Sequence, residues 1–141
     1  MQSVKLRVDP RSLTAAESCC IIGTIYFDFP TLQFPERNWS DFVVVLLGWW
    51  LEATRWPITR AELRFMDGPF VLRIAPVAGD NVVLKGIEDR GHERELCHCV
   101  ASIKELRLEI ESAAKSILEE CRARKWVNED VERLGYLLGN P

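Results

Sequence analysis

The sequence predicts an α+β fold: an antiparallel meander at about 59–100, packed against a buried helix at about 40–55 and a long C-terminal amphipathic helix at about 102–125. Three observations predict it. Apolar and polar residues alternate between Ala61 and Val100, in runs separated by turn residues, which is the period of half-buried strands. From Ser102 the apolar spacing changes to three and four, the period of a helix with one buried stripe. Between strand-like segments lies a dense apolar run, Phe42 to Leu51, about half the length that a membrane-spanning helix requires.

Each element follows in chain order. Val4, Leu6 and Val8 alternate with Lys5 and Arg7, which gives a short strand ended by Asp9-Pro10. Cys20 to Phe29 is rich in Ile, Tyr and Phe and reads as a more deeply buried strand. Pro30 to Asn38 holds two prolines and no period, so a loop is expected. Ser40 is placed to cap the following helix, with Asp41 in its first turn. Phe42, Val45, Leu46, Trp49 and Trp50 fall at helical spacing, and Phe42 is expected in the core. Trp49 and Trp50 are adjacent, so a helix cannot bury both on one face.

The meander comes next. Ala61, Leu63 and Phe65 form one alternating run and Phe70, Leu72 and Ile74 a second. Val82 to Ile87 and Glu93 to Val100 are the third and fourth. Asp67-Gly68-Pro69, Ala78-Gly79-Asp80-Asn81 and Asp89-Arg90-Gly91-His92 supply the turns. Beyond it, Ile103, Leu106, Ile110, Ala113, Ala114, Ile117, Leu118 and Cys121 mark the buried stripe of the long helix, capped by Ser102. Asn128 begins a short last helix and Gly139 ends it. No linker or repeat divides the chain, so residues 1–141 are expected to form one domain.

Composition narrows the function. The net charge is −3, from 18 basic and 21 acidic residues spread along the chain, so no basic stripe is left for nucleic acid. No apolar leader is found among the first twenty residues, and five cysteines is an odd number. A cytoplasmic protein with reduced thiols is therefore expected, without membrane attachment. Cys97-His98-Cys99 offers metal-ligand types, but on a strand the two thiols face one way and the imidazole the other. A Cys/His catalytic pair has only His92 and His98 to draw on. Neither a metal nor a cofactor is expected, and no catalytic residue is assigned.

What remains is a binding surface. Glu88, Asp89, Arg90, His92, Glu93 and Arg94 crowd one hairpin tip, far beyond what a turn needs. With Arg64 and Arg73 they form the expected contact surface for a protein partner. The alternatives are a small-molecule-binding or Cys/His-dependent enzymatic domain, and a homodimer subunit joined through a sheet edge.

One stretch carries a resemblance. Phe29-Pro30, then Phe34-Pro35-Glu36-Arg37-Asn38-Trp39-Ser40-Asp41-Phe42, then Leu46-Leu47-Gly48-Trp49-Trp50-Leu51-Glu52 resembles a group of small bacterial proteins with an FPE…W-x-DF…L-x-WW signature. In that group a charged meander and a long C-terminal helix follow. The group is similar in size and organisation to immunity proteins of polymorphic-toxin and contact-dependent inhibition systems. The resemblance implies a non-enzymatic protein that neutralises a cognate toxin by stoichiometric binding, and it brings no catalytic residues.

Overall fold

The computed structural model describes residues 3–16, 20–55, 57–58 and 60–139. Its first strand, β1 (Lys5–Ala16), runs past the expected stop at Asp9-Pro10. Pro10 is tolerated because the pairing with β2 (Cys20–Asp28) breaks into a bulge between Asp9 and Thr14, where no ladder donor is needed. Ser12 stitches the bulge: its hydroxyl donates to the Asp9 carbonyl at 2.6 Å and accepts from the Thr24 amide at 2.8 Å.

The expected loop at 30–38 contains a two-residue strand, β3 (Gln33–Phe34), and another, β4 (Ser40–Asp41), follows it. Both pair with β2, and with β1 they complete a first antiparallel sheet. The two long strands are the ones the sequence predicts, whereas β3 and β4, two residues each, are too short to carry a pattern of their own.

Ser40 is therefore a strand residue and not a helix cap. Helix α1 (Val43–Ala53) begins after Phe42, with no side-chain cap and no acid in its first turn. Asp41 has a different role. Its carboxylate is buried and accepts from the Trp39 indole at 3.0 Å, the Phe42 amide at 2.7 Å and the Asp67 amide at 3.1 Å. Three donors satisfy a buried anion that would otherwise be costly. The far end of α1 is held by Arg107, which donates to the Leu51 carbonyl and, at 3.0 Å, to the Thr54 hydroxyl.

The meander is β5 (Ala61–Arg64), β6 (Phe70–Ala78), β7 (Asn81–Asp89) and β8 (Glu93–Ser102), in that order across a second sheet. Gly68, Gly79 and Gly91 take positive φ at the three expected turns. Helix α2 (Ile103–Ala123) buries the eight residues expected of it, and the Ser102 side chain accepts from the Glu105 amide at 3.2 Å. Helix α3 (Glu129–Leu137) is capped by Asn128, whose side chain accepts from the Val131 amide at 2.8 Å.

Aromatic rings join the two sheets through α1. Trp50 stacks on Phe27 at 5.2 Å and meets Phe65 edge-on at 5.1 Å. Phe34 of the first sheet meets Phe65 and Phe70 of the second, each at 5.9 Å. The Trp50 indole also donates to the Arg64 carbonyl at 3.0 Å, so part of the short edge strand β5 is occupied.

Candidate functional site

Side chains on β5–β8 alternate between the core and an outer face. Leu63, Leu72, Ile74, Leu84, Cys97 and Cys99 point inward and are buried. The register then places Glu62, Arg73, Lys85 and His98 in one row across the outer face. Arg64, Val71, Ile87 and Glu95 make the next row. Val71 and Ile87 are buried on this face, outside the main core, beneath a surface that is otherwise polar.

Arg73 is the hub. It donates to both Glu93 oxygens, at 2.9 and 2.6 Å, and to Glu62 at 3.0 Å. Hydrogen bonding to Arg73 holds the Glu93 carboxyl below its ordinary range, and the same pair raises the pKa of Arg73. Arg64 donates to the other oxygen of Glu62 at 3.2 Å. Lys85 and His98 both reach Glu95, at 3.7 and 2.8 Å. At the tip, Glu88 takes Arg90 at 3.1 Å and Arg94 at 3.9 Å. Asp89 turns inward on its own loop and accepts from the Gly91 amide at 3.3 Å. His92 is exposed.

Of the eight residues expected at the contact surface, Arg64, Arg73 and Glu93 lie on this face and Asp89, Arg90 and His92 at the tip, while the register sets Glu88 and Arg94 in the row of Phe70, on the other side of the sheet at its end. They are not a free charge cluster, because opposite charges are matched within the surface. Reading the tip alone missed Glu62, Lys85 and His98. The signal that finds them is the hairpin register, which sets outward positions of different strands side by side.

The buried thiols take no part. Cys97 and Cys99 are buried while His98 stands on the opposite face, as strand geometry requires. Burial pushes Cys97 and Cys121 up to about 11 and raises Cys99 as well, so these thiols stay protonated and unreactive near neutral pH. Cys19 lies outside the described residues, as does Trp56. Among the described residues no group of three or more His, Cys, Asp or Glu side chains is placed to hold a metal, and no helix is long and apolar enough to cross a membrane.

Of the adjacent tryptophans, Trp50 is 1% exposed and Trp49 is 45% exposed. Phe42, expected in the core, is only half-buried and lines a surface crevice. It precedes the helix instead of lying on its inner face. No family model, curated protein or solved structure matches the chain.

Proposed function

We propose that the protein is a non-enzymatic binding module, an immunity protein that works in the cytoplasm and neutralises a toxin by one-to-one occlusion. The observation that carries this reading is the outer face of the meander. Among the described residues no helix covers it, yet its charged side chains are interlocked around Arg73. Exposed ion pairs of this kind add little to stability. Their use is preorganisation: side chains already fixed lose less entropy when a partner docks. Because the charges are matched internally, recognition depends on short-range polar contacts more than on long-range steering. The FPE…W-x-DF…L-x-WW resemblance supports the toxin-neutralising form of this reading.

Titration tests it. A cognate toxin, sought by pull-down among neighbouring gene products, should lose activity linearly with added protein, reaching full inhibition at one equivalent. Complete inhibition by a small fraction of an equivalent would mean turnover and would sink the reading.

A further inference from the structure

Helix α1 is more apolar than burial explains. The sequence Val43 to Leu51 contains no charged residue, and most of it is buried in the core. One stripe is not. Phe42, Val45 and Trp49, spaced three and four apart, face outward; Phe42 and Val45 are half-buried and Trp49 is exposed. Met66, on the turn between β5 and β6, is 41% exposed and joins Phe42 and Val45 around a crevice of about 220 Å³. The fold does not require these side chains to be large and apolar. Trp49 follows Val45 by one helical turn, outside the crevice itself, and an exposed tryptophan with a flexible methionine nearby on Val45's other side has the chemistry of an interface anchor.

The rim has a sign. Asp130 lines the crevice, Glu129 precedes it at the start of α3, and Asp67 follows Met66. Among the described residues none of these three carboxylates has an ion-pair partner. Only Glu52, one turn beyond Trp49, is paired, with Arg133. The α3 dipole offsets part of the charge on its first-turn acids and leaves the rim negative. The turn that carries Met66 also adjoins the charged tip. The β5–β6 turn and the β7–β8 tip share one end of the sheet, tied by the Asp89 amide donating to the Pro69 carbonyl at 2.8 Å.

We propose that the Phe42–Val45–Trp49 stripe with Met66 docks a basic segment of a partner protein that carries an apolar anchor. The proposal rests on the binding reading above and names the chemistry of the partner's anchor: apolar side chains seated on the stripe, with lysines or arginines over Asp67, Glu129 and Asp130.

A short amphipathic helical peptide of leucine and lysine is the probe, titrated into the whole isotope-labelled protein. The lysine peptide should shift the Trp49 indole resonance and saturate. Its affinity should fall about tenfold or more in Trp49→Lys, and also in a variant combining Asp67→Asn with Asp130→Asn, as expected for an anchor and its charge partners. Trp49→Lys should keep the parent melting temperature, because Trp49 is exposed, and the asparagine pair should lower it only slightly, by the loss of one first-turn acid on α3. A matched leucine–glutamate peptide should not bind. Equal binding of the two peptides, shifts confined to the meander face, or no shift at Trp49 would each overturn the proposal. So would a dimer of the protein that Trp49→Lys dissolves, because the occupant would then be a second copy. Failure with the peptide leaves the one-to-one titration with the toxin to stand or fall separately.

Discussion

At the scale of single residues, Asp41 has the largest structural consequence. It ties β4 to the start of α1 and to the β5–β6 turn by three hydrogen bonds. Asp41→Ala strands three part-buried donors and should cost about 2–4 kcal/mol, less than three times the roughly 1–3 of a fully buried donor because water reaches some of them. Asp41→Asn keeps one acceptor oxygen and should fall between the two in chemical denaturation. Equal midpoints for Ala and parent would contradict the assignment. Phe42→Ala should cost only about 1 kcal/mol, well below the roughly 3–5 of a buried aromatic, which Trp50→Ala should show. Neither assignment was visible in the sequence. An acid before an apolar run looks like a helix start, and only the β4 pairing with β2 shows that the helix begins two residues later. The opposed fates of Trp49 and Trp50, by contrast, follow from helical geometry alone.

Elements were legible in proportion to how local their causes are. The buried stripe of α2 could be read residue by residue, because a 21-residue amphipathic helix repeats its signal over many turns. The meander turns were readable because Gly68, Gly79 and Gly91 sit where positive φ is needed. β1 was cut short because Pro10 stops a regular strand, whereas its bulge depends on contacts far along the chain. Arg124 of the α2 terminus donates to the Leu13 carbonyl at 2.6 Å and to the Pro10 carbonyl at 3.3 Å. The same terminus carries a testable strain. Lys125 adopts φ 59°, and the Trp126 and Lys125 amides close onto the Cys121 and Arg122 carbonyls, the pattern in which glycine is usual. Lys125→Gly should raise stability by about 1 kcal/mol, the order of the left-handed penalty for a residue with a Cβ. A lower melting temperature would show that the lysine side chain contributes more than its backbone costs.

The whole molecule depends on a junction that no local pattern encodes. Both sheets alternate in sequence, so the alternation cannot tell one sheet from two. The sheets meet where Phe34 lies against Gly86: an added Cβ there would come within 2.7 Å of both the Phe34 ring and the Cys97 sulfur. Gly86→Ala should therefore destabilise by about 1–3 kcal/mol, the usual cost of overpacking. A neutral result would mean that the sheets are less closely joined.

The buried thiols give a global readout. Cys97 and Cys121 titrate near 11, above their ordinary value of 9, so they are neutral in both folded and unfolded chains below pH 9. As pH rises through 9 the unfolded chain ionises first, and the stability that these thiols contribute is lost by about pH 11. Alkylation of Cys97, Cys99 and Cys121 in the native protein at pH 8 should be slow and should accelerate on unfolding. Rapid native labelling of these three would contradict their burial.

The charged face was legible only in part. The tip could be read from its crowding, but its pairing with Glu62, Lys85 and His98 needs the register of four strands. Hydrogen–deuterium exchange of the protein alone and with its toxin tests the central claim most directly. Protection gathered on β6–β8, the 88–95 tip and the exposed side of α1 is the predicted result. Protection confined to α2 and the β1 edge, with the meander unchanged, would contradict it.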